Sequence, residues 1–240
     1  MIRVAIFGGS GFVGMALTKA LLSKGYLVKS LNRRRVEDTS NENLIQLEID
    51  LFEDDLCTYL KDVDYVIYNI GIIREDLRRN ITYKRLHDNL ARRAISASEQ
   101  VGIKKFILMS ANGVERQLTG YEKTKFSAEN FLMNSNLHWT IFRPSLIFGD
   151  PKDKMEFCTQ MKRDVINSFL PIPLFFKGLN ILNAGSFQMT PIHVENVADF
   201  FVKSITMKES DYQIYELGGS GKFDWKSMMT IIFKSCGKIP

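Results

Sequence analysis

Three cysteines and three histidines are all that this 240-residue chain carries of the residues that bind soft metals or form disulfides. Cys57, Cys158 and Cys236 are odd in number and far apart. They give neither a zinc spacing nor a disulfide framework, which fits a reducing compartment. His87, His138 and His193 fall in separate segments, so no metal site is expected. No stretch reaches the length of a membrane span. The candidate at 169–176 is short and is broken by Pro171 and Pro173. The first strand-like run starts at Ile2, leaving no room for a signal or transit peptide, and the cytoplasm is the expected compartment. Internal repeats and low-complexity tracts are also missing.

The net charge is +5, but its basic residues are dispersed. Arg33 to Arg35, Arg78–Arg79, Arg92–Arg93 and Lys104–Lys105 fall in different segments with acids between them. Such groups are ordinarily solvated faces, so nucleic acid is not an expected partner. With 45% hydrophobic residues the chain can bury one sizeable core, or a core and a small lobe.

Residues 2–14 carry the strongest signal. A short apolar run, Ile2 to Phe7, ends at Gly8, and Gly11 and Gly14 follow at three-residue steps. The run suits a strand buried on both faces of a parallel sheet. Gly8 permits a sharp turn, Gly11 lets backbone approach a pyrophosphate, and Gly14 permits close helix packing. The helix that follows aims its free amides and positive end at the phosphates. Gly8, Ser10, Gly11, Phe12, Val13 and Gly14 are therefore candidate dinucleotide contacts. A glycine-rich turn without a ligand is the plain alternative, and the strand before and helix after argue against it.

Strand and helix patterns alternate over the first 150 residues. Strands are expected at 2–7, 26–31, 44–49, 64–70, 104–110 and 138–142, and helices at 12–24, 53–60, 82–101 and 121–135. This rhythm predicts an α/β fold, a doubly wound parallel sheet of Rossmann type, over 1–150. Residues 151–240 read as a small C-terminal substrate lobe, interleaved with the core and short enough to be truncated. It holds the Phe- and Met-rich segment 155–176, expected as core or pocket wall, a helix to about 205, a strand at 212–217 and a helix at 225–236.

The second strand ends in Asn32-Arg33-Arg34-Arg35, with no acid before Glu37. An acid at that point accepts from the ribose hydroxyls and repels a 2′-phosphate, whereas arginine grips phosphate. NADP(H) is accordingly favoured over NAD(H), with Arg33 ahead of Arg34. Asp50, followed by Leu51, either accepts from the adenine amino group or caps the next helix. Gly71 lets backbone pass close to a coenzyme or simply makes a turn.

Among the tyrosines only Tyr121 has a lysine four residues later, Lys125. On a helix this puts both on one face. An ammonium beside the phenol is expected to lower the phenol's pKa and suit it to proton transfer. Arg143 precedes Pro144 and either meets an anionic substrate or forms a structural ion pair, the commoner role. His193 is expected to be structural.

Gly8 to Gly14, Met109-Ser-Ala-Asn-Gly113, Tyr121-Glu-Lys-Thr-Lys125, Arg143-Pro-Ser-Leu-Ile-Phe-Gly149, Pro191 to Ala198 and Tyr215-Glu-Leu-Gly-Gly219 occur in one order. In these segments the chain resembles the short-chain dehydrogenase/reductase superfamily, in its extended and atypical epimerase/dehydratase-like branches. It is most similar to the group related to the nucleotide-binding accessory subunit of respiratory complex I. The resemblance implies Tyr121 as general acid/base, Lys125 as its partner, and a serine near Ser110 orienting the substrate oxygen. It also places Pro144 beside the nicotinamide. Only ten residues separate Ser110 from Tyr121, so Asn112 is a second candidate donor. Two functions follow: an enzyme acting on an unidentified carbonyl or carbinol substrate, or a non-catalytic NADP(H)-binding sensor or assembly subunit. By analogy, the helices at 82–101 and 121–135 offer a homodimer interface.

Overall fold

The computed structural model describes residues 1–33, 41–152, 154, 156–167, 185 and 187–237. Arg34, Arg35, Glu37 and the stretch 169–176 lie outside the described residues. The strands in chain order are β1 (Arg3–Phe7), β2 (Leu27–Asn32), β3 (Leu44–Glu48), β4 (Tyr65–Tyr68), β5 (Lys105–Met109) and β6 (Trp139–Pro144). They continue with β7 (Ile147–Phe148), β8 (Gln188–Met189), β9 (Ile192–His193), β10 (Gln213–Leu217) and β11 (Phe223–Asp224). The helices are α1 (Phe12–Ser23), α2 (Leu56–Leu60), α3 (Leu90–Gln100), α4 (Gly120–Met133), α5 (Phe157–Met161), α6 (Val194–Thr206) and α7 (Trp225–Ser235).

Two compact units divide the chain. The first comprises Met1–Pro144 and Glu195–Leu217; the second comprises Ser145–Val194 and Gly218–Pro240. The first is built on a seven-stranded sheet in the order β10-β6-β5-β4-β1-β2-β3. Every neighbouring pair in it is parallel. The order reverses between β1 and β4, and ligands of doubly wound sheets bind beyond the strand ends at such a point. The sheet's central strands are apolar because both faces are covered: Val4 to Phe7, Val66, Ile67, Phe106 and Ile107 have no exposed surface. In the second unit, β7 pairs with β9 in parallel and β8 with β11 antiparallel, around Trp225, Met228, Met229 and Ile232.

Two helices differ from the sequence reading. The helix expected at 53–60 begins at Leu56, because Asp55 caps it by accepting from Cys57 N. The helix expected at 82–101 opens as a π-helix, Lys84–Asn89, before α3. That extra residue per turn shifts its side-chain register, a feature frequent at functional sites.

The glycine turn has the predicted constraints. Gly8 adopts φ +86°, and a Cβ on Gly14 would lie 2.1 Å from Gly8 O. A Cβ on Gly11 would meet only Gly8 O, at 3.4 Å. Gly14→Ala should therefore destabilise the protein by about 2 kcal/mol or more, whereas Gly11→Ala should melt near wild type. Thermal denaturation of both variants checks this, and an undisturbed Gly14→Ala melt would refute the packing argument.

Candidate coenzyme and active site

A cavity of about 710 Å³ opens in the first unit beyond the ends of β1 to β4, lined in part by Gly8, Ser10, Gly11, Asn32, Arg33, Asp50, Leu51 and Gly71. Seven of the expected coenzyme contacts, all of these but Asn32, are thus brought together at one strand-end crevice. Gly11 precedes α1 without any side-chain cap, and no acid sits in the first helical turn. The amides that open α1 are consequently not satisfied by a cap of their own, as an anion-binding turn requires. Phe12 and Val13 form that first turn beside Gly14.

Asn32 closes β2 where dinucleotide folds often hold an acid, and it is almost fully buried. Its Oδ1 accepts from Ser10 N at 3.2 Å and its Nδ2 donates to Ser30 O at 3.2 Å, tying the glycine turn to the strand end. Sequence reasoning passed over it, although an amide at an acid's customary place was visible. Arg33 is exposed on the cavity rim. Arg34, the second phosphate candidate, lies outside the described residues. Asp50 Oδ1 accepts from Phe52 N at 2.9 Å and Glu53 N at 3.2 Å, so it caps the turn after β3 rather than α2 while still facing the cavity. These two backbone bonds hold its carboxyl below the ordinary aspartate range.

The reactive residues stand on β5 and α4. Thr119 and Glu122 form a capping box at the start of α4: Thr119 Oγ1 accepts from Glu122 N at 3.2 Å and Glu122 Oε2 from Thr119 N at 3.1 Å. One turn inside, Lys125 is buried, and its Nζ donates to Met109 O at 3.0 Å. The next residue, Ser110, has a buried hydroxyl with no hydrogen-bond partner. A Cβ on Gly71 would lie 3.7 Å from Lys125 Nζ, so this glycine is the point where the β4 loop passes the lysine. Asn112 is exposed, and its N–H donates to Pro144 O at 3.0 Å.

The ammonium does not act on the phenol as the sequence predicts. Lys125 Nζ is 5.8 Å from the centre of the Tyr121 ring and is bonded to a carbonyl. Burial, and next the neighbouring Tyr83, raise the Tyr121 pKa instead of lowering it. Burial also brings Lys125 down to about 8. Arg143 resolves to the structural alternative. Its Nε and Nη2 grip the fully buried Glu129 at 3.0 and 2.6 Å, and Nη1 reaches Glu115 at 3.3 Å. All three guanidinium nitrogens are committed to carboxylates, and no substrate contact is drawn from it.

His87 completes the cluster, although sequence reasoning set it aside. Its ring stacks on Tyr83 at 5.3 Å and stands edge-on to Tyr121 at 5.1 Å. Its Nε2 accepts from Ile72 N at 3.0 Å, which fixes the Nδ1–H tautomer of the neutral ring. Burial, with the Lys125 charge second, pushes its pKa down to about 2. Helical periodicity could not reveal it, because it sits in the π-helical turn. Among the described residues no cluster of three or more His, Cys, Asp or Glu is placed to hold a metal, and no helix is long and apolar enough to cross a membrane.

The parallel order, the uncapped glycine turn and the strand-end cavity define a Rossmann-type domain, and its relatives make it an NAD(P)-binding one of the short-chain dehydrogenase/reductase, epimerase–dehydratase type. A family model described as NAD(P)H-binding matches residues 8–167, and the chain belongs to that family. It is 23% identical over 265 residues to the chloroplastic divinyl chlorophyllide a 8-vinyl-reductase of Arabidopsis thaliana, covering 100% of this chain and 58% of that protein. It is 25% identical over 181 residues to the 3 beta-hydroxysteroid dehydrogenase/Delta 5→4-isomerase of Mycobacterium tuberculosis, covering 64% and 49%. The chain therefore spans about half of the length of these curated relatives. In fold it is similar to MoeE5 in complex with UDP-glucuronic acid and NAD, with TM-score 0.81, 19% identity and 99% and 83% of the two chains covered. A UDP-glucuronic acid 4-epimerase from Bacillus cereus, also bound to NAD, gives TM-score 0.75 at 18% identity, covering 99% and 84%.

The neutral His87 carries a pH consequence. Between its unfolded pKa near 6.5 and its folded value, the unfolded chain holds a proton that the native state excludes, so stability falls as pH falls through that window. At pH 5 this amounts to about 2 kcal/mol. Urea denaturation should show a drop from pH 7 to pH 5 that is smaller in His87→Gln; equal drops would refute it.

Proposed function

We propose that this chain is an NADP(H)-dependent oxidoreductase or epimerase/dehydratase-like enzyme that acts on a carbonyl or carbinol carbon through Tyr121 and Lys125. The carrying observation is the unpartnered, buried Ser110 hydroxyl, next in sequence to the carbonyl that holds Lys125. A buried hydroxyl left unpaired costs stability unless something supplies a partner, and a substrate oxygen or a coenzyme amide is such a partner.

The bound nicotinamide supplies hydride chemistry. Gly8, Ser10, Gly11 and the opening amides of α1 hold the diphosphate, Arg33 and Arg34 the adenosine 2′-phosphate, and Leu51 and Gly71 the flanking walls. Tyr121, a phenol and so protonated at neutral pH, is the group to donate a proton to an oxygen gaining negative charge. Lys125 supplies positive charge on the same helical face, and Ser110 orients the oxygen. The second unit, Ser145–Val194 and Gly218–Pro240, is assigned to substrate recognition. Several relatives carry names of dehydrogenases or reductases, among them a ceramide reductase of Caulobacter vibrioides, which supports a carbonyl or carbinol substrate. The cytoplasm is the proposed compartment.

One observation favours a non-catalytic reading, in which the chain is an NADP(H)-binding sensor or an assembly subunit. The Lys125 ammonium is bonded to Met109 O and the Tyr121 phenol is not poised toward phenolate. Turnover on a panel of ketones, aldehydes and nucleotide sugars separates the two. An enzyme should lose about 100-fold or more of its rate in Tyr121→Phe while its NADPH affinity stays near wild type. Tight NADPH binding with no turnover on the whole panel supports the sensor. Calorimetry should show Arg33→Ala weakening NADPH by about tenfold more than NADH; parallel losses would contradict the NADP preference.

A further inference from the structure

Most arginines of the first unit with a described contact have found an oxygen. Arg79 pairs with Asp76 at 3.5 Å, Arg92 with Asp88 at 2.5 Å and Arg143 with Glu129 at 2.6 Å, and Arg93 donates to Asp54 O at 2.9 Å. Arg85 differs. Among the described residues its guanidinium has no carboxylate within 4 Å and no side-chain hydrogen bond; its Cζ lies 4.0 Å above the centre of the Phe52 ring. Arg85 and Phe52 both line the 710 Å³ cavity, with Asp50 beside them. The guanidinium is a plane with two faces. Phe52 lies against it, and because Arg85 also lines the cavity, part of what Phe52 leaves uncovered is open to it.

The π-helical turn brings this about. Within Lys84–Asn89, Arg85 and Leu86 reach the cavity while His87 and Asp88 are buried. Tyr68 Oη donates to Leu86 O at 2.6 Å, and Asp88 accepts from Lys84, Arg92 and Ser127. The backbone carrying Arg85 is thereby anchored on both sides.

Charge decides what the open face takes. The cavity's other charged residues are Arg33, Arg79, Glu48, Asp50 and Asp54, and of these acids Asp50 is the one whose carboxylate feels the Arg85 charge, so a phosphate placed against Arg85 would also face that carboxylate. An uncharged, electron-rich ring carries no such penalty, and a cation stacked on a π-face is favourable. We infer that Arg85, backed by Phe52, is the stacking platform for the coenzyme's adenine ring, so that Phe52, Arg85 and the purine form a three-layer stack. The inference rests on the proposed coenzyme reading of this cavity. It makes the segment before α3, not only the end of β2, a determinant of affinity, and one indifferent to the 2′-phosphate.

Calorimetric titration of the whole chain with NADH and with NADPH tests it. Arg85→Ala should weaken both by the same factor, about tenfold, the usual loss when one base-stacking partner is removed. Arg85→Lys keeps the charge but not the plane and should show most of that loss. Phe52→Leu, which removes the supporting layer, should weaken both coenzymes in parallel. A loss confined to NADPH, or full affinity in Arg85→Lys, would make Arg85 a phosphate contact and overturn the stack. Unchanged affinity in Arg85→Ala would overturn it as well, while leaving the coenzyme reading intact. A wild-type chain that binds neither coenzyme would bring down the coenzyme reading itself. Thermal melts of the free variants verify that each is folded, and Arg85→Lys serves if Arg85→Ala is not.

Discussion

The contact between Gly14 and the backbone of Gly8 and Gly9 sets the geometry of the first unit. A side chain at Gly14 would strike Gly8 O and both Gly9 backbone atoms near it, so only a bare Cα lets α1 start this close to the end of β1. The helix begins there without a side-chain cap, right after Gly8, Ser10 and Gly11, which line the crevice. Asn32 then fixes the turn from the other side through Ser10 N. An anion site made of main-chain amides is only as good as the rigidity of the turn that presents them, and here both flanks are anchored.

Buried charge is arranged by a second rule. Glu129, with no exposed surface, is satisfied by a bidentate arginine, and Asp88 by a lysine, an arginine and a serine. Removing one partner of such a group leaves an uncompensated charge in a poorly solvated place. Lys125 and Ser110 do not follow that pattern: the ammonium has only a carbonyl, and the hydroxyl has nothing. Thr18 Oγ1, inside α1, is the other buried hydroxyl without a partner; Ser110 differs from it in standing beside the carbonyl that holds Lys125, where a ligand could complete the polar network.

Much of this was legible beforehand. The steps of Gly8, Gly11 and Gly14 after an apolar run demand a tight turn between a buried strand and a close-packed helix whatever lies beyond them. The alternating apolar and amphipathic segments likewise require a parallel sheet covered on both faces. What sequence periods could not show was a change of period. His87 and Arg85 lie in a π-helical turn, where a 3.6-residue reading assigns the wrong faces. α2 starts three residues later than expected because Asp55 caps it, while Asp50 holds the turn that precedes it.

The direction of the Tyr121 pKa was beyond reach for another reason. An i, i+4 spacing fixes which face of a helix two residues share, but not how far apart their polar ends lie or what else competes for them. Met109 O, supplied by a strand, takes the Lys125 ammonium, and burial among Tyr83 and His87 raises the phenol. The chain's order of residues thus determined the sheet, the glycine turn and the candidate reactive pair, since those depend on local sterics and on spacing along one element. Only tertiary structure decided the tautomer of His87, the ion pair of Arg143 and the environment of Tyr121, because each depends on desolvation and on partners that distant segments bring into contact.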